Sequence, residues 1–507
     1  MSKFLSKNFI FFLILFLSIL AFRGRIGSDD LEVFNFVYNF KNFEGNLSEY
    51  LNALKNDESV FIFSEDVQKH TYYTWHHRFI WVVQTYIIYS LVDFINIFFG
   101  LDTIFFHKYF SGFILTFYSI LSFFLCIKIY LNRNLNFYSS FLLCVYIFLS
   151  TGIITFITGQ YIESLIVLII VCRFYFKNTL IIFFLDFLII LIKPFYFLIV
   201  FSFRIAEFNF AKIFEKENLK ILVGIGFLLL LFIIFRFTVT DIANNLSYVN
   251  SQNPNFEIFN YFKNLFDFYF SHGSGIFLTL VPLIFLIFYG RNKKTKFKIF
   301  SILFIGFVLS IYDGAHGGVS GGRYSIPFFI MFLDEYLRGY NKIYKEKKKI
   351  LILISLITLL NLPSLEYRNF VISEYQNKTI VTKKPLGPAS IQKEDNEIKF
   401  ILYEWPIYNF KFNNIIFSNL ILYSKILEKD FIEIDKDLIL ETNFIFPQTG
   451  IGRLIYINDK NIDTGQQFIN KFANELNIYL KILYYLTVFI FLIFYFFSIF
   501  KALKIKN

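Results

Sequence analysis

Charge is scarce in this chain. Only 17% of its 507 residues are Asp, Glu, Lys or Arg, against about 25% in an ordinary soluble domain. Cysteine is nearly missing too: Cys126, Cys144 and Cys172 are the three present, each within or at the edge of an apolar run. Their odd count and spacing suit neither a metal site nor a redox pair, so they read as small buried apolar residues. No Gly-rich nucleotide fingerprint and no GKS or GKT sequence occurs, which argues against an ATP-driven pump. No internal repeat of about 20–50 residues is evident. No small-x-small cleavage site follows the first apolar run, which meets Arg23-Gly24-Arg25 instead. A retained membrane anchor is expected there.

What the chain has in abundance is apolar surface. It is 56% hydrophobic and 22% aromatic, with 75 Phe and 33 Tyr and a mean hydropathy of +0.55. Runs such as Asn8–Phe22, Ile221–Phe237 and Ile478–Phe500 approach or exceed the ~18 residues of a membrane span. The expected fold is an all-α polytopic membrane protein of about 12 transmembrane helices. Part of the Phe, Ile, Asn, Lys and Tyr excess fits AT-rich codons, so a single Phe or Tyr carries little information. The net charge of +11 would suit nucleic acid only on the basic face of a soluble domain. In a membrane protein, Lys and Arg crowd into cytoplasmic loops instead, and no nucleic-acid partner is expected.

The basic clusters set the topology. The strongest are Arg291–Lys298, Arg338–Lys349 and Lys501–Lys506; weaker ones are Lys128–Arg133, Arg173–Lys177 and Arg204–Lys220. With all six in the cytoplasm, Arg23 to about Thr103 becomes an outer loop. Thr179–Ile192 and Pro194–Phe203 form a hairpin tipped by Lys193-Pro194. Gly275–Tyr289 and Ser325–Tyr336 each return through the membrane. The leftover stretch Phe79–Phe99, interrupted by Gln84, Asp93 and Asn96, is expected to lie at the outer interface. Residues 1–362 thus form the transmembrane domain, including the outer loop 23–103. Residues 363–477 form a small extracytoplasmic α/β or β-rich domain, and 478–507 hold the last span and a cytoplasmic tail. The stretches KDLILETNFIF and GIGRLIYINDKNIDTG read as strand, turn and strand.

Four outer constellations could carry chemistry. Asp29 and Asp30 follow the first span; a carboxylate pair beside a lipid boundary can raise one pKa into general-base range, although solvated loop acids are common. His76, His77 and Arg78 enter the Phe79–Phe99 stretch, where belt residues are ordinary and Arg78 could instead clamp phosphate. Gln160 and Glu163, then Lys193 at the hairpin tip, put charge at the edges of apolar helices; snorkelling alone would explain the lysine. Finally, a loop from Tyr312 to Pro327 holds five of the 23 glycines with His316, Arg323 and Tyr324. Such glycines let backbone N–H groups approach an anion, with Arg323 as a bidentate phosphate donor.

The order of these motifs resembles the GT-C class of membrane glycosyltransferases, which use polyprenyl-phosphate sugars. Ser28-Asp29-Asp30 is similar to the acidic motif of that class's first outer loop. Gly159-Gln160 with Lys193-Pro194 resembles the GQ…KP pattern of its polyprenol-phosphate-mannose-dependent branch. Gly322-Arg323-Tyr324 with Pro327 is similar to the RY-x-x-P element; protein O-mannosyl and aminoarabinose transferases are related branches. The likeness covers residues 28 to 327. The class's Lys-Pro-Pro segment is absent, and His76-His77-Arg78 stands near its place.

The resemblance implies hexosyl or pentosyl transfer from a polyprenyl-phosphate sugar to a lipid, glycan or protein acceptor. Asp29 or Asp30 would be the base, with Glu32 and Glu65 the next candidates. The remaining motif residues would hold substrate or phosphate. The expected setting is a bacterial inner (plasma) membrane, with membrane lipids as partners and the site on the extracytoplasmic face. No cofactor is expected, although an Asp pair could hold a divalent ion. The alternatives are a lipid-linked saccharide flippase or transporter, which needs charge near the bilayer midplane, and a polysaccharide polymerase or ligase. Sequence leaves the sugar, the acceptor and the oligomeric state open.

Overall fold

The computed structural model describes residues 33, 36–38, 40–41, 79–99, 103–150, 162–208, 215–239, 258–270, 276–310, 324–360, 370–375, 378–383, 389–394, 397–402 and 489–503. Fifteen helices carry most of this: α1 Phe79–Phe99, α2 Thr103–Asn132, α3 Phe137–Ser150, α4 Glu163–Tyr175, α5 Thr179–Ile192, α6 Phe197–Glu207, α7 Lys216–Val239, α8 Ile258–Phe270, α9 Ile276–Thr279, α10 Val281–Gly290, α11 Thr295–Leu309, α12 Ile326–Ile330, α13 Leu333–Glu346, α14 Lys348–Leu360 and α15 Phe489–Leu503. Two antiparallel hairpins follow α14. Strand β1 Phe370–Tyr375 pairs with β2 Lys378–Lys383, and β3 Ala389–Glu394 pairs with β4 Glu397–Leu402. The strands expected further along the 363–477 segment lie outside the described residues.

Local chemistry explains most helix ends. Asn178 caps α5, its side-chain oxygen accepting from the amides of Leu180 at 2.9 Å and Ile181 at 3.3 Å, which satisfies two orphan donors of the first turn. Asn136 does the same for Ser139 at 2.9 Å as α3 begins. At the far end of α5, Lys193 is extended (φ −147°, ψ 122°) because the following proline disfavours the helical region. A 3₁₀ turn, Pro194–Tyr196, then reverses the chain into α6. The expected hairpin tip is therefore present.

Two stretches expected as single helices are interrupted. The helix over Ser325–Tyr336 is interrupted: α12 stops at Ile330, and the helix resumes as α13. Lys298 takes the Met331 carbonyl at 2.7 Å and Tyr336 takes the Phe329 carbonyl at 2.9 Å, so the break leaves both satisfied. All nine residues from Ser325 to Leu333 are buried, so the irregular backbone is shielded by protein. Gly275–Tyr289 is likewise broken between α9 and α10, with Pro282 starting the second piece. The helix expected over Phe79–Phe99 is present and packs against α2, where Gln84 accepts from the Tyr118 hydroxyl at 2.8 Å. Its Asp93 is neutralised by Lys41, whose ammonium stands 4.5 Å from the Tyr89 ring centre.

Described residues from all six basic clusters meet at one end of the bundle through direct contacts. Lys128 stands over the Tyr175 ring at 5.1 Å, and Arg133 pairs with Asp334. Arg173 and Arg204 share Asp186. Lys298 binds Glu335, and Arg338 donates to the Gly290 carbonyl at 3.0 Å. Lys348 reaches the Leu503 carbonyl at 3.3 Å. Helix α13, which runs from the expected Ser325–Tyr336 span into the Arg338–Lys349 cluster, crosses α10 at this end. The crossing is very close because glycine faces backbone on both sides: a Cβ on Gly290 would lie 1.9 Å from the Glu335 carbonyl oxygen, and one on Gly339 2.0 Å from that of Leu286.

The outer faces are apolar. Val83, Ile87, Leu91, Phe94 and Phe98 make an exposed stripe on α1, and Phe300, Phe304 and Phe307 one on α11. Within α7, Asn218–Phe235 is long and apolar enough to cross a membrane, and shorter apolar stretches lie in α1, α2, α3, α5, α10 and α15. These features are compatible with a bilayer setting.

Candidate functional site

The end of the bundle opposite the basic clusters brings three of the motif residues together. Glu163 opens α4, and Lys193 follows the last turn of α5. In this antiparallel pair, the carboxylate stands at a helix N-terminus and the ammonium at a helix C-terminus, each favoured by the peptide dipoles. They form an ion pair with Glu163 Oε1 as acceptor; the side chains are 1% and 16% exposed. The Lys193 ammonium also lies 4.5 Å from the centre of the Tyr324 ring, a cation–π geometry. Phe195 packs edge-on to Tyr324 at 5.5 Å, and Tyr196 meets Phe328 at 5.8 Å. The Lys-Pro turn is thus docked on the Tyr-x-x-Pro segment by rings, not by charge alone.

This geometry changes what Lys193 can do. A lysine paired with a buried carboxylate is not an isolated cation awaiting phosphate. Its ammonium has three donors, and Glu163 occupies one, so a ligand would join an existing pair. Snorkelling alone no longer explains it.

Of the other sequence-predicted site residues, Asp29, Asp30, His76, His77, Arg78, Gln160, His316 and Arg323 lie outside the described residues, as do Glu32 and Glu65. Among the described residues, no group of three or more His, Cys, Asp or Glu is arranged to hold a metal ion.

The structure adds two charge clusters that motif reading did not assign. Asp186 is fully buried and accepts from Arg173 Nε at 2.8 Å and Arg204 Nη2 at 2.6 Å. Glu335, 1% exposed, accepts from Lys298 at 2.8 Å and Thr295 at 3.2 Å, with Arg338 Nη2 also 3.2 Å away. The one sequence signal was Asp186 itself, an acid inside an otherwise apolar run. Its partners lie 13 residues before and 18 after it, on different helices, so no local spacing revealed them. No protein-family model, curated protein or solved structure matches this chain.

Proposed function

We propose that this protein is a membrane glycosyltransferase that moves a sugar from a polyprenyl-phosphate donor to a lipid, glycan or protein acceptor on the extracytoplasmic face. The observation that carries this reading is the meeting of Glu163, Lys193 and Tyr324 at the end opposite the basic clusters. Two motifs far apart in sequence, the Gly-Gln…Lys-Pro stretch and the Tyr-x-x-Pro segment, supply one small polar locus, as the resemblance to GT-C enzymes requires. On the positive-inside rule, the basic end is cytoplasmic and this locus faces outward. About 12 spans and a small extracytoplasmic domain over 363–477 complete the proposed architecture.

In the proposed reaction, Asp29 or Asp30 takes the proton of the acceptor hydroxyl, whose oxygen attacks the anomeric carbon. The bond from that carbon to the phosphate oxygen breaks, and the polyprenyl phosphate leaves as an anion. Arg323, Arg78 and the Lys193 pair offset its growing charge, which lowers the barrier where the charge develops. A carrier or flippase would place charge midway through its helices. Glu163 and Lys193 sit instead at helix ends, and Asp186, the main exception midway along α5, is paired by arginines from the last turns of α4 and α6, which favours the enzyme.

The test is turnover of a short-chain polyprenyl-phosphate sugar by purified Asp29→Asn and Asp30→Asn proteins. One of them should lose about 10²–10⁴-fold in rate, as for a missing general base, while expression is retained. Near-normal turnover in both would remove this pair from the chemistry.

A further inference from the structure

Among the described residues, the basic end holds more buried positive charge than its buried acids offset. Asp186, fully buried, is gripped on its two oxygens by Arg173 and Arg204, whose side chains are 9% and 15% exposed. The Phe203 ring lies 4.0 Å from the Arg173 guanidinium carbon and 5.7 Å from Lys298 Nζ. One ring therefore joins this triad to the Lys298–Glu335 pair, to which Arg338 is also bound. Three largely buried cations, Arg173, Arg204 and Lys298, thus share two buried carboxylates around one apolar wall, with the more exposed Arg338 beside them. An uncompensated charge in a partly dry site is costly.

Geometry favours a phosphate as the missing counter-charge. Each guanidinium carries five N–H donors in a planar fork, and Asp186 accepts from one nitrogen of each. The two forks, fixed on opposite oxygens of one carboxylate, are held near each other and retain donors suited to paired phosphate oxygens. A carboxylate ligand would offer fewer oxygens, and a neutral ligand would leave the charge unbalanced.

We propose that Arg173 and Arg204, set by Asp186 and backed by Lys298, form a phosphate-binding site at the basic end of the bundle. The ligand is either an anionic lipid headgroup or free phosphate. This site is separate from the Lys193 locus and does not depend on the activity proposed for it.

Full-length protein in detergent would be titrated with phosphatidylglycerol, with phosphatidylcholine as the zwitterionic control, and separately with inorganic phosphate. Binding would be read by native mass spectrometry and by thermal stabilisation. Saturable binding in the phosphatidylglycerol arm identifies a lipid headgroup; binding in the inorganic phosphate arm alone identifies free phosphate. Arg204→Gln should weaken the bound species by about tenfold or more, the scale of a lost charge-assisted hydrogen bond, and Arg204→Lys should recover only part of it. Asp186→Asn keeps both forks and removes the competing carboxylate. The ligand should therefore stabilise it more than it stabilises wild type, even if the unliganded variant melts earlier. Absence of saturable binding in both arms, or equal affinity in wild type, Arg204→Gln and Asp186→Asn, would overturn the proposal.

Discussion

Removing Lys193 should cost more stability than neutralising Glu163, although the two form one ion pair. The carboxylate is 1% exposed and the ammonium 16%. Lys193→Met leaves a charged carboxylate with almost no access to water and without its ammonium. Breaking a buried pair in this way costs about 3–5 kcal/mol. Glu163→Gln leaves the lysine able to reach solvent along its flexible stem and keeps an amide oxygen that can accept its hydrogen bond. That substitution should cost about 1–2 kcal/mol, on the scale of an altered hydrogen bond to a charged group. The double variant strands no charge and should recover much of the loss, giving a coupling of about 1–3 kcal/mol. Denaturant titration of the four purified proteins in mixed micelles measures the cycle. Equal costs for the two single variants, or additive costs in the double one, would refute the reasoning. Turnover separates structure from function: if Lys193 meets the donor phosphate, the double variant should regain stability and still transfer sugar poorly.

The crossing of α10 and α13 should be intolerant of even one methyl group. Gly339→Ala and Gly290→Ala each force a carbon against a backbone carbonyl and should lower stability by about 1–3 kcal/mol or more. Gly224→Ala and Gly226→Ala, where a Cβ would meet nothing within 4 Å, should instead stabilise α7 by up to about 1 kcal/mol; thermal unfolding of the four variants tests the contrast. Single cysteines introduced at positions 160 and 294 should be labelled from opposite sides of sealed vesicles. Labelling of position 160 from the cytoplasmic side alone would reverse the proposed orientation.

Much of the helical layout was legible because it depends on near neighbours. Scarce charge and long apolar runs indicate helices that bury little of their outer surface. The predicted stretches Phe79–Phe99 and Thr179–Ile192 recur with the same bounds as α1 and α5. The turn at Lys193-Pro194 was readable for the same reason, since proline constrains its own φ and its neighbour's conformation. The gathering of basic clusters at one end also follows from their alternation along the chain.

Tertiary structure alone decided what charges do once helices meet. Glu163 and Lys193 are 30 residues apart, and nothing local in either segment shows that each neutralises the other. The break between α12 and α13 depends on Lys298, 33 residues earlier in sequence, supplying a donor to the Met331 carbonyl. Asp186 could be singled out by sequence as an exposed cost in an apolar run, but its two arginines come from neighbouring helices. Composition and periodicity determine which segments become helices. Burial energy and the pairing of buried charge determine how those helices pack, and both require partners distant in sequence.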